Sequence, residues 1–147
     1  MFERVDPTEA YEFWNEKYGV PLEVLGEYDV YMKGRNKTWL VDKDAAADKA
    51  DVEAIGLPFL RVKGEHPKPT TDALQRLDEH VTRNRVEVGV DGAREFVAGE
   101  TVERDYPDVE LGYVAVEHRG EVLGCGLYFP GELRSQVPKG RRVDLLV

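Results

Sequence analysis

Between Leu133 and Val143 the chain places four basic side chains, Arg134, Lys139, Arg141 and Arg142, with no acid among them. Val86 to Val147 as a whole holds seven basic and twelve acidic residues, so this run reverses the local sign of charge. A guanidinium can fork onto a phosphate or lie flat on a base, which an ammonium cannot do. Ser135 and Gln136 sit within the run and add uncharged donors and acceptors suited to ribose hydroxyls and base edges. Tyr128, beside Phe129 in a glycine-bearing stretch, is a candidate stacking platform; at strand spacing only one of these two rings can face outward. The chemistry implied is contact with a phosphate-bearing polymer. The plainer alternative is a basic stretch that offsets nearby acids.

A second group is Lys68, Thr70 and Thr71, on a proline-fixed segment, with Arg83 and Arg85 at the entry to a later strand. The threonine pair fits a helix cap equally well, and Arg83-Asn84-Arg85 a solvated turn. Catalytic chemistry finds less support. His66, His80 and His118 have no metal-ligand spacing. Cys125, between Gly124 and Gly126, reads as a small buried hydrophobe, and no base that would activate it can be identified. No catalytic, metal-binding or cofactor-binding residues are expected, and the chain is not expected to be an enzyme. A single cysteine excludes an internal disulfide. With no apolar run near the length of a membrane span and no signal-peptide plan at Met1–Asp6, the expectation is a cytoplasmic protein without a membrane partner.

Acidic side chains number 29 against 20 basic, a formal charge of −9 over 147 residues. That balance ordinarily argues against nucleic acid. An acidic surface with more Arg than Lys also fits a salt-accumulating halophilic archaeon, where near 1 M salt the screening length is only about 3 Å and a global charge hardly repels RNA.

The elements that must position these residues can be read from pattern. Asp6-Pro7 starts a helix that Gly19 stops. Tyr28–Met32 and Thr38–Asp42 form a hairpin, Asp44–Lys49 a short helix, and Val52–Ile55 and Pro58–Lys63 short strands. Gly64–Pro69 is expected to be irregular because its prolines remove backbone donors. Thr70 or Thr71 caps a helix to about His80 with Ala73, Leu74 and Leu77 inward. Arg85–Val88 is a strand, Gly92–Val97 a helix, and Thr101–Glu103 a strand fragment. Gly112–Glu117 and Val122–Phe129 form a hairpin, followed by Leu133–Val137 and a last apolar stretch, Val143–Val147.

The run Gly112-Tyr113-Val114-Ala115-Val116, Gly120, Leu123-Gly124-Cys125-Gly126-Leu127-Tyr128 and Leu133-Arg134-Ser135-Gln136-Val137-Pro138-Lys139-Gly140-Arg141 resembles the PUA-like domain that ends archaeal Sun/Fmu-type RNA cytosine-5 methyltransferases. Lys68–Gln75 and Arg83–Val88 resemble the approach to that domain, and Phe13-Trp14 with Tyr18-Gly19-Val20-Pro21 resembles its pre-PUA part. The resemblance implies an α+β fold, with an N-terminal pre-PUA-like α/β subdomain (1–85) followed by a PUA-like β-pseudobarrel (86–147) that grips RNA. The family's catalytic Thr-Cys and Pro-Cys pairs do not occur in this sequence, nor does a glycine-rich nucleotide loop. The expected partner is structured RNA, tRNA or rRNA and not DNA, with a separate methyltransferase or ribosome-assembly protein as a further partner. The alternatives are an adaptor that docks on a separate methyltransferase, and a small-molecule enzyme with its site between the halves.

Overall fold

The structure is a computed structural model and describes residues 2–43, 56–62 and 66–141. Helix α1 (Thr8–Tyr18) begins as its sequence dictates: Pro7 has helical angles, and Asp6 Oδ1 accepts from the Thr8 amide at 3.0 Å and its hydroxyl at 2.6 Å. It ends at Gly19, whose φ of 74° lies in the left-handed region; a Cβ there would also stand 2.1 Å from Thr82 Oγ1. A single helical turn, α2 (Leu22–Leu25), leads into the first hairpin, β2 (Tyr28–Lys33) and β3 (Lys37–Asp42). With β1 (Phe2–Val5), β4 (Leu57–Arg61) and β5 (Lys68–Pro69) these make a five-stranded antiparallel sheet in the order β1-β2-β3-β4-β5.

Strand β5 corrects the expectation that Gly64–Pro69 contains no regular structure. Residues before a proline are held extended, and Pro69 sits on the sheet's edge strand, where its missing amide breaks no ladder. The expected helix at Asp44–Lys49, strand at Val52–Ile55 and final apolar stretch lie outside the described residues.

Thr70 caps α3 (Thr71–Arg76), its hydroxyl accepting from Ala73 N at 3.0 Å, and a 3-10 turn at Asp78–His80 continues the chain. The second sheet joins β6 (Arg85–Glu87), β7 (Thr101–Val102), β8 (Gly112–His118), β9 (Glu121–Phe129) and β10 (Glu132–Ser135) in the order β6-β8-β9-β10-β7. All pairs are antiparallel except β6 with β8. Helix α4 (Val90–Val97) covers one face of it, burying Phe96 against Val86, Val102, Val114 and Leu133.

The main core lies between the sheets. Trp14 stacks on Phe59 with ring centroids 5.1 Å apart, and Tyr18, Leu40, Leu60 and Leu74 close around them with Ala115 and Cys125 from the second sheet. Both halves of the chain therefore share one apolar cluster. Full burial of each such aromatic or aliphatic side chain stabilises by about 1.5–3 kcal/mol, enough to hold the sheets in fixed relation.

Candidate nucleic-acid interface

Residues 68 to 71 stitch the two sheets together one side chain at a time. The Lys68 ammonium donates to Gln136 Oε1 at 2.8 Å, reaching the second sheet. Pro69 pairs with Leu60 in the first. The Thr70 hydroxyl donates to Pro58 O at 2.6 Å, and Thr71 Oγ1 accepts from Cys125 N at 3.0 Å. A Cβ on Gly124 would lie 2.9 Å from that same Thr71 oxygen, so the glycine lets α3 approach β9 closely. Of the two readings the sequence left open, Thr70 takes that of the helix cap. Both hydroxyls are committed to the fold, and Thr71 is buried.

The structure places three further candidate residues. Tyr128 is only 3% exposed and its hydroxyl accepts from Tyr106 N at 2.7 Å, so it is a core residue and not a platform. Arg85 lies half-buried, donating to Glu117 at 2.8 Å, to Asp78 Oδ1 at 2.8 Å and to the carbonyls of Asp78, Val81 and Gly120. Its fork is saturated by the protein itself. Arg83 is exposed and donates to Glu16 O at 3.0 Å in a hollow of about 590 Å³ that mixes Lys17 and Arg83 with Glu16, Asp108 and Glu110.

The face of the second sheet that buries Ala115 and Cys125 against the first runs on past the shared core, and register sets what its end leaves partly open. Tyr113 faces Leu127, and Leu127 faces Arg134. Paired residues share a sheet face, and Phe129, two residues beyond Leu127, shares it too. Phe129 is 40% exposed, with the Arg134 guanidinium 5.3 Å from its ring centroid; Arg134 also donates to Glu132 at 3.0 Å. At the other side of the patch the Lys68 ammonium lies 5.8 Å from the centroid of Tyr113, which is partly exposed. Two rings, Tyr113 and Phe129, thus flank Leu127, each with a cation beside it. Pairing of successive strands makes this visible, whereas the local sequence around Tyr128-Phe129 leaves open which ring faces out. Tyr113 was missed because its place at the edge of the shared core depends on the same pairing.

Of the basic run, Arg134 lies on this face and Gln136 borders it through Lys68. Ser135 turns away, its hydroxyl donating to Phe96 O at 2.7 Å, and this corrects its predicted contact. Lys139 is exposed in a 3-10 turn (Lys139–Arg141), Arg141 is described by its backbone there, and Arg142 lies outside the described residues.

Below Lys68 a cleft of about 320 Å³ is lined by Lys37, Arg61, Lys68, Thr70, Gln136 and Asp72 among others, three bases against one acid. Lys37 and Arg61 come from the first sheet and carried no signal of their own in the sequence. A larger hollow of about 660 Å³ under α4 has the opposite character, with Asp91, Glu95, Glu100 and Glu103 against Arg104. Nucleophilic chemistry has no foothold at Cys125: burial pushes its thiol up to about 12, and it remains a thiol at neutral pH. Among the described residues no group of three His, Cys, Asp or Glu side chains could hold a metal, and no helix is long and apolar enough to cross a membrane.

Comparison with known proteins finds two matches along the chain. Residues 2–56 match a family of unknown function, DUF7122, and no curated protein matches the chain. Residues 83–143, which hold the whole second sheet, match the family described as the methyltransferase RsmF PUA domain, so this part of the α+β chain is a PUA-like domain resembling the C-terminal region of the Sun/Fmu methyltransferases.

Proposed function

We propose that the protein binds structured RNA, tRNA or rRNA, in the cytoplasm, and serves RNA modification or ribosome assembly without a catalytic centre of its own. The observation that carries this reading is the partly open end of the β8–β10 face beyond the shared core. There Tyr113 and Phe129 offer two stacking surfaces, Lys68 and Arg134 sit beside them, and the Gln136 amide lies at the border. Stacking of a base on an aromatic ring contributes about 1–3 kcal/mol and accepts any base, while adjacent cations engage phosphate. The match of this sheet to a methyltransferase PUA domain supports the same conclusion.

The basic run Arg134, Lys139, Arg141 and Arg142 continues past Gln136 in the sequence. Crosslinking the protein to RNA in cells and sequencing what is bound tests the assignment. Recovery of tRNA or rRNA fragments is expected, with the crosslinked peptide containing Tyr113 or Phe129. Recovery of one protein partner that survives nuclease treatment, with no RNA enrichment, would instead make the chain an adaptor for a separate methyltransferase.

A further inference from the structure

Strand pairing in the first sheet aligns four cations in one row. Lys33 pairs with Lys37 across the hairpin, Lys37 with Arg61, and Arg61 with Lys68. Each pair is directly opposite, so all four side chains leave from the same face of β2–β5. Their neighbours agree. Lys33 Nζ lies 5.3 Å from the Phe2 ring centroid and Lys37 Nζ 4.7 Å from the Trp39 centroid, while those two rings meet edge-on at 5.4 Å. Lys37, Arg61 and Lys68 converge on the cleft described above.

Like charges placed directly opposite on adjacent strands destabilise a sheet. A chain with 29 acids available has put none at these paired positions, and has used three of its eight lysines there. The row runs against the overall charge of the protein. It also leads somewhere. Its last member, Lys68, is the residue that touches Gln136 and lies beside Tyr113. Three strand spacings of about 4.8 Å carry the row roughly 14 Å away from the aromatic face.

We propose that Lys33, Lys37, Arg61 and Lys68 form a track for the phosphate backbone of the RNA whose bases engage Tyr113 and Phe129. The inference rests on the RNA reading of the second sheet and assigns a role to the first. A nucleic-acid strand carries one phosphate for about every 3.4 Å of duplex axis, so a row of this length spans several phosphates. The sheets then divide the work: the cation row fixes register on the backbone, and the aromatic face meets the bases.

The test is the salt dependence of binding of the full chain to a labelled tRNA. In the triple variant Lys33→Gln, Lys37→Gln, Arg61→Gln, the slope of log K against log salt should fall by about 2 and low-salt affinity by at least about tenfold, because each lost phosphate contact removes about 0.7–0.9 from the slope. The charge-conserving variant Lys33→Arg, Lys37→Arg, Arg61→Lys should keep the wild-type slope. Phe129→Ala should lower affinity at every salt concentration with its slope unchanged. The single Lys37→Gln variant, expected to change the slope by a little under 1, gives the same reading if the triple variant does not fold. Wild-type binding with no change of slope in the glutamine variants overturns the track alone. Failure of the wild type to bind at any salt overturns the RNA reading and the track with it.

Discussion

Lys68 Nζ lies 2.8 Å from Gln136 Oε1, and this bond joins an edge strand of the first sheet to the segment that follows the last long hairpin of the second. It places one cation at the meeting point of the cation row, the cleft and the Tyr113 ring. Replacing Lys68 with Met should weaken RNA binding about tenfold while lowering stability by about 1 kcal/mol, the usual net worth of such a bond at a partly exposed site. Urea unfolding and RNA titration of the same variant check both numbers.

Phe129 and Tyr128 should separate cleanly. Phe129→Ala removes a stacking surface worth about 1–3 kcal/mol and should leave stability nearly unchanged, since the ring is substantially exposed. Tyr128→Phe deletes the acceptor for Tyr106 N and should lower stability by about 1 kcal/mol, with RNA affinity of the folded protein unchanged. Parallel titrations and thermal melts distinguish the two.

Arg85→Met should act on the fold alone. It strips the partner from Asp78 and Glu117, which are themselves largely covered, and should destabilise by about 2 kcal/mol, below the range for fully buried pairs. Equilibrium unfolding measures this, and an unchanged RNA affinity below the unfolding midpoint would confirm that the guanidinium serves the protein.

Gly126→Ala should also be destabilising, by about 1–3 kcal/mol, because its Cβ would meet Val116 Cγ2 at 2.8 Å and Leu133 Cδ1 at 2.9 Å in a packed interior. The measurement is the urea midpoint at unchanged slope.

Alkaline pH should unfold the protein through groups in the shared core. Burial raises the Cys125 thiol from 9.0 to about 12 and the Tyr11 phenol from 10.0 to about 12, and raises Tyr18 further in the same direction. Each folded value lies above its unfolded one. Stability is therefore complete below about pH 9 and declines as pH rises from there through the folded values. Tyr11 and Tyr18 also donate their hydroxyl protons to the carbonyls of Tyr28 and Tyr113, bonds that ionisation removes. Tyrosinate absorbance and far-UV circular dichroism, followed together, should change in one step above pH 9.

Much of this fold was legible because its signals are local. The Asp6-Pro7 start, the Gly19 stop, the hairpin across Gly34 and the Arg119-Gly120 turn each depend on a few neighbouring residues. The candidate site was legible only in part. Lys68, Gln136 and Arg134 stand out by type, but the roles of Thr70, Thr71 and Ser135 are decided by carbonyls and amides far along the chain. Arg85 misleads for the same reason, its acidic partner Glu117 lying 32 residues away. The cation row depends on long-range register: the hairpin alone pairs Lys33 with Lys37, and only the sheet brings Arg61 and Lys68 beside them.

The central claim is that the partly open end of the second sheet, with Tyr113, Phe129 and Arg134, binds RNA, and a titration of labelled tRNA and rRNA fragments with the full chain, from low salt to molar KCl, tests it most directly. Saturable binding that persists in molar KCl and is weakened by Phe129→Ala together with Arg134→Ala is the predicted result. Absence of binding to total cellular RNA at every salt concentration would contradict it.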